Sequence, residues 1–295
     1  MEKILIPTDF SLTAEKAYKL GAEIARKTEA EIILLHIIPT FVRKGLAITG
    51  LIDPTVGNND EEISIAKDIL AKLVSKDVFA GVKVSTELIE KTNDDIPTTI
   101  TRFQTDEEID LIVVGTDGAR TSRRNYTPII VRQANCPVIS VDQEPETFTL
   151  KNMVLATDFV NTNYKMMDNV WNLQQLFEAK LTILYVNTPH YFKDTQKIEN
   201  EYNLFVNRYE LDNTELAVFN DHILEDGILK YAERVSADML LMSTHGRTGL
   251  SHLFSKSHAE YVVGHSKVPV YVYNMHMDEL YNYVVSGSTG GFTGV

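Results

Sequence analysis

The feature that most constrains this chain is that it repeats itself at long period. Residues 3–10 read KILIPTDF and residues 152–159 read NMVLATDF, an offset of 149. Residues 30–37 (AEIILLHI) and 179–186 (AKLTILYV) share that offset. Further on, IDLIVVGTDG at 109–118 matches ADMLLMSTHG at 237–246 with an offset of 128, so the first copy holds 21 extra residues before this point. Much of the surplus falls in 41–61, rich in Gly, Pro, Asn and Asp, and reads as an excursion loop. CPVI at 136–139 matches VPVY at 268–271 with an offset of 132, so the first copy lacks four residues between Gly118 and Cys136.

Within each copy, short β-branched and Leu-rich runs read as buried strands: 4–7, 32–38, 82–89, 111–114 and 138–141, then 153–156, 181–186, 215–219, 239–242 and 269–273. Between them lie stretches with helical spacing, such as Ala14, Ala17, Tyr18, Gly21, Ala22, Ile24 and Ala25. Strands alternating with helices imply βαβ units and a parallel sheet covered on both faces. The fold class is therefore α/β, with two tandem doubly wound, Rossmann-like modules of five parallel strands each. The domains are expected at 1–141 and 151–274, joined by an acidic, Pro-containing linker at 142–150 and followed by a Gly- and Ser-rich tail at 275–295.

Composition narrows the partners. The net charge of −13 repels nucleic acid and anionic membranes at long range, and no run approaches 18 uninterrupted apolar residues. A single cysteine, Cys136, excludes an intrachain disulfide and fits a reducing, cytoplasmic setting. It precedes Pro at a buried strand and reads as packing.

Chemistry in an open parallel sheet sits beyond the carboxyl ends of the strands, where the strand order switches. Strand one ends in Thr8-Asp9-Phe10 and in Thr157-Asp158-Phe159. Each Asp either caps the turn into the next helix or accepts hydrogen bonds from an adenine amino group or ribose hydroxyls. Ser11, then Asn161 and Thr162, are offered as helix N-caps. Strand four ends in Gly115-Thr116-Asp117-Gly118 and in Ser243-Thr244-His245-Gly246. The second copy continues through Arg247 to Lys256-Ser257, small residues and two cations that suit an anion. The bland reading is a strand-to-helix turn with its cations in solvent. Five histidines (His222, His245, His252, His258, His265) lack the spacing of a metal site and read as surface or capping residues, except His245, which lies inside the candidate loop. Tyr191, Phe192, Tyr202, Phe205 and Tyr209 read as a helix core stripe. No Gly-x-Ser-x-Gly elbow and no Walker loop is present.

Together these residues resemble the universal stress protein family, over about 1–141 and 151–274. The resemblance implies the adenine nucleotide α-hydrolase-like fold and an adenine nucleotide held between the strand-one Asp and the loop after strand four. It implies base contacts at Asp9 and Ile37 in the first copy and at Asp158 and Val186 in the second. Nucleotide-binding members carry G-x2-G-x9-G-[ST] after strand four. The second copy has Ser243, Gly246, Lys256 and Ser257 at those positions. The first copy keeps Gly115 and Gly118 but places Arg124-Asn125, or residues near them, where Gly-[ST] belongs. The expectation is a stress-response regulatory module binding ATP, ADP or AMP (with Mg2+ if ATP) in domain 2 ahead of domain 1. Slow ATP hydrolysis is the most that is expected as catalysis, with no catalytic residue assigned. The alternative is an interaction or chaperone-like scaffold with degenerate sites. The family also implies an intrachain pseudo-dimer of the two modules, association of two chains, and a protein partner that the sequence does not identify.

Overall fold

The structure, a computed structural model, describes residues 1–38, 59–90, 94–118, 125–143, 150–160, 162–244 and 256–275. The chain divides into two compact units, Met1–Gln133 with Ile139–Phe148 and Ala134–Val138 with Thr149–Val295.

The first unit runs β1 (Lys3–Pro7), α1 (Leu12–Thr28), β2 (Glu31–Ile37), α2 (Asn59–Val74), a 3-10 turn (Asp77–Phe79), β3 (Val84–Ile89), α3 (Ile96–Asp106), β4 (Leu111–Gly115), α4 (Thr127–Gln133) and β5 (Val138–Val141). Its strand order is β3-β2-β1-β4-β5. β1 pairs parallel with β2 and β4, and β2 parallel with β3. The second unit runs β6 (Asn152–Ala156), α5 (Tyr164–Phe177), β7 (Lys180–Asn187), a 3-10 turn (Pro189–Tyr191), α6 (Thr195–Arg208), β8 (Thr214–Asn220), α7 (Leu224–Arg234), β9 (Met239–Thr244), α8 (Lys256–His265) and β10 (Val270–Asn274). Its order, β8-β7-β6-β9-β10, is the same path again, with parallel pairings throughout its registers. The order reverses between β1 and β4, and equivalently between β6 and β9. These are the two switch points.

Local chemistry explains the elements. Ser11 caps α1 by accepting from Ala14 N–H, and Glu29 closes it in the left-handed region. All seven residues of the predicted α1 stripe are buried. Gly21 lets α1 lie on β1, since a Cβ there would meet Ile6 Cδ1 at 2.5 Å. Asp95 caps α3 and Asp194 caps α6. The cap of α5 is Asn163, which accepts from Met166 N–H. The expected caps were Asn161 and Thr162, so the helix begins later than the sequence pattern indicated. The 41–61 excursion is also shorter at its end, because Asn59–Glu61 form the first turn of α2, while 39–58 lie outside the described residues.

One device recurs where each β1-type strand starts. Asp110 Oδ2 accepts from Glu2 N–H (2.5 Å) and Lys3 N–H (3.0 Å). Asp238 Oδ2 accepts from Lys151 N–H (2.7 Å) and Asn152 N–H (2.8 Å). A carboxylate ahead of strand four thus ties down strand one in both units.

Candidate functional site

At the end of β1 the chain must turn sharply into α1, and side chains hold that turn. Thr8 N–H donates to Leu35 O (2.8 Å), and Thr8 Oγ1 accepts from Phe10 N–H (3.0 Å). Asp9 Oδ1 accepts from Ser11 N–H (3.0 Å). Phe10 is thereby kept at φ 63°, a region that side-chain-bearing residues rarely adopt. The second unit repeats this turn. Thr157 Oγ1 accepts from Phe159 N–H (3.0 Å), Asp158 Oδ1 accepts from Val160 N–H (3.0 Å), and Phe159 sits at φ 67°. Each Asp therefore does shape its turn, and in the first unit the carboxylate also faces a cavity.

That cavity, about 400 Å³, lies at the first switch point. Leu35, Ile37, Ile100, Val114 and Ile130 form its apolar wall, while Asp9, His36, Asp117, Asn125 and Thr127 form its polar rim. Asp9 is exposed there and Ile37 is buried. The Phe10 ring stacks on His36 at 4.2 Å. His36 Nδ1 lies 2.8 Å from Thr8 O. A carbonyl can only accept, so Nδ1 carries a proton and Nε2 is the remaining acceptor of the neutral ring.

The loop after β4 forms the other side. Gly115 is required, because a Cβ would fall 1.8 Å from Thr13 O at the start of α1. Gly118 N–H donates to Thr116 Oγ1 (3.1 Å), with Gly118 at φ 64°. Thr13 Oγ1 donates to Asp117 Oδ2 (2.6 Å), and Lys16 Nζ lies 2.7 Å from Asp117 Oδ1 and 3.0 Å from Thr116 O. Asn125 Nδ2 donates to Gly118 O (3.0 Å), and Thr127 Oγ1 donates to Gly115 O (3.3 Å). Lys16, Thr13 and His36 were not singled out in the sequence. Thr13 and Lys16 are one helical turn apart, but their partner is about a hundred residues away.

The second unit treats the corresponding end of its sheet differently. Tyr185 stands where the first unit has His36, and Phe159 stacks on it at 5.7 Å. The Phe205 edge approaches Phe159 at 5.8 Å, and Lys193 Nζ sits 4.8 Å from the Tyr185 ring centre while pairing with Glu201 (2.5 Å). Tyr185 O–H donates to Tyr191 O (2.9 Å), and burial pushes its phenol up to about 12. Asp158 and Val186 are only 3% and 4% exposed. Gly227 of α7 presses on Val186, where a Cβ would meet Cγ1 at 2.5 Å.

Ser243 is buried near the end of β9, and exposed Ser257 is the second residue of α8. Lys256 opens that helix, while Gly246 and Arg247, with His245 and His252, lie outside the described residues. His258 Nδ1 pairs with Glu225, and His265 Nδ1 bonds Tyr261 O (2.8 Å), both local structural roles. The aromatic residues at 191–209 do not form one core stripe. Phe205 is buried, Phe192 is 71% exposed, and Tyr191 lies in the 3-10 turn before α6. Among the described residues no three His, Cys, Asp or Glu side chains cluster as metal ligands, and no helix is long and apolar enough to cross a membrane.

Comparison with known proteins agrees with this architecture. The model of the Universal stress protein family matches residues 1–142 and again 149–274. Universal stress protein MJ0531 of Methanocaldococcus jannaschii is 29% identical over 145 residues, covering 48% of this chain and 81% of that protein. Universal stress protein MJ0577 of the same organism is 28% identical over 155 residues, covering 48% and 96%. The crystal structure of a universal stress protein from Archaeoglobus fulgidus superposes with a TM-score of 0.71 at 18% identity, covering 92% of this chain and 98% of that one. The chain belongs to the universal stress protein family and carries the family's domain twice.

Proposed function

We propose that the chain is a cytoplasmic regulatory module of the stress response whose state is set by an adenine nucleotide or its nucleoside part. The observation that carries this reading is the first unit's cavity. It joins, in a volume of about 400 Å³, an apolar wall to an exposed carboxylate, Asp9, that can accept from a base amino group or a ribose hydroxyl. Ile37, at the end of β2, lines the same cavity. In the second unit the residue types suited to phosphate are Ser243 near the end of β9 and, following it in the sequence, Gly246, Arg247, Lys256 and Ser257. No residue is assigned a catalytic role.

A second reading, a scaffold without nucleotide, is favoured for the second unit by the burial of Asp158, Phe159 and Tyr185, with Phe205 of α6 against the Phe159 ring. Small molecules released from gently purified chain and identified by mass spectrometry separate the two. Calorimetry with adenosine, AMP and ATP on the wild type and on Asp9→Ala and Asp158→Ala then assigns the unit. An adenine compound lost in Asp9→Ala supports the proposal. Indifference of the wild type to millimolar amounts of all three supports the scaffold.

A further inference from the structure

We propose that Asp117 fills, within the first unit, the place of a ligand's first phosphate, so that this cavity selects a purine nucleoside over its phosphorylated forms. The inference rests on the adenine-ligand reading above and specifies the ligand class of that site. Beyond β4, two described donors suited to an anion already have an acceptor. Thr13 Oγ1 and Lys16 Nζ both converge on the Asp117 carboxylate, at 2.6 and 2.7 Å. They project from the first turns of α1, where the helix dipole adds to the preference for an anion. The pair is partly shielded, with side-chain exposures of 23% for Lys16 and 39% for Asp117.

Three further donors among the described residues of the loop are engaged as well. Gly118 N–H is taken by the Thr116 hydroxyl, the Asn125 amide by Gly118 O, and the Thr127 hydroxyl by Gly115 O. A phosphate entering here would have to displace a carboxylate from two hydrogen bonds and then sit beside it. Charge-assisted bonds of this kind are the strong ones, so the cost is large. Among the described lining residues the ionisable side chains are Asp9, His36, Asp117 and Tyr126, two carboxylates and no lysine or arginine. Asp9 accepts from neutral N–H and O–H groups and repels anions. The cavity's size, about 400 Å³, also lies toward the small end of ligand pockets.

The test is calorimetric titration of the full chain with adenosine and with AMP, in the wild type, Asp117→Asn and Asp9→Ala. Heat lost in Asp9→Ala identifies the first unit's site. For that site the wild type should favour adenosine over AMP by about tenfold or more, one charge-assisted hydrogen bond's worth. Asp117→Asn, checked for folding by circular dichroism, should shift the AMP-to-adenosine affinity ratio toward AMP by about tenfold or more. Wild-type binding of AMP as tight as that of adenosine overturns the proposal and leaves the adenine-ligand reading standing. An unaltered ratio in folded Asp117→Asn also overturns it. Absence of binding by either compound overturns both.

Discussion

Replacing Gly115 with alanine tests the junction on which the first unit's site is built. The added methyl would lie 1.8 Å from Thr13 O, 2.7 Å from Thr13 C and 3.2 Å from Ala14 Cα. All three neighbours are main-chain atoms, so no rotamer change relieves the overlap. The start of α1 must retreat by about 1.6 Å, the gap between 1.8 Å and an ordinary contact of 3.4 Å. That helix buries eight residues, Ala14 to Ala25, and its Thr13 hydroxyl would also leave Asp117. Overpacking costs about 1–3 kcal/mol when side chains can adjust, and here they cannot, so a loss of about 3 kcal/mol or more is expected. Two controls separate crowding from the mere loss of a glycine. Gly264 in α8 faces open space, and Gly264→Ala should stabilise by about 0.5–1 kcal/mol through helix propensity. Gly81 also faces open space but holds φ +75°, so Gly81→Ala should cost about 1 kcal/mol. Urea unfolding followed by far-ultraviolet circular dichroism ranks the four proteins. A Gly115→Ala midpoint matching wild type, with an equal slope, would refute the packing argument.

Three further outcomes follow from the geometry. Asp238→Ala leaves Lys151 N–H and Asn152 N–H without their acceptor and should cost about 1–3 kcal/mol in urea unfolding, whereas Asp238→Asn should recover part of that loss. Glu31 lies below the ordinary carboxylate range because Lys83 and Ser85 hydrogen-bond it, and Glu215 because Lys180 and Thr182 do. Their stabilisation is complete above the ordinary value of 4.5 and disappears as pH falls through the lowered folded values, so Glu31→Gln/Glu215→Gln should flatten the acid side of the stability profile. Both pairs are solvated, so the change should be small, about 1 kcal/mol or less. Burial pushes Tyr18 and Tyr185 up to about 12 and also raises Tyr231 and Tyr271, so an alkaline absorbance titration should show Tyr18 and Tyr185 among a group of late phenols. Their contribution is intact below 10 and is lost as pH rises toward 12, where the unfolded chain ionises first.

The inner strands of each unit were legible because they are continuous apolar runs buried on both faces, whereas the edge strands β3 and β8, read as buried, are half-buried or exposed along their length. Leu111 to Val114 and Met239 to Met242 need no context to be read that way. The α1 stripe was legible for the same reason. The start of α5 was not, since Asn161, Thr162 and Asn163 all have capping chemistry and only the turn held by Asp158 decides among them. The site was half legible. Asp9, Ile37 and Gly115 stand at strand ends, where topology alone directs attention. The engagement of Asp117 by Thr13 and Lys16 depends on how α1 lies against β4, which local pattern does not encode. The difference between the units was visible as His36 against Tyr185. Its consequence was hidden, because Phe205 and Lys193 reach that end of the sheet only through the packing of α6 and the segment before it.

A crystal structure of the full chain grown with saturating adenosine bears most directly on the central assignment. The base should lie on the apolar wall beside the Ile37 main chain, with the Asp9 carboxylate within hydrogen-bond reach of the base or ribose. Adenosine seated only elsewhere, with the space between Asp9 and Asp117 left empty, would contradict the account.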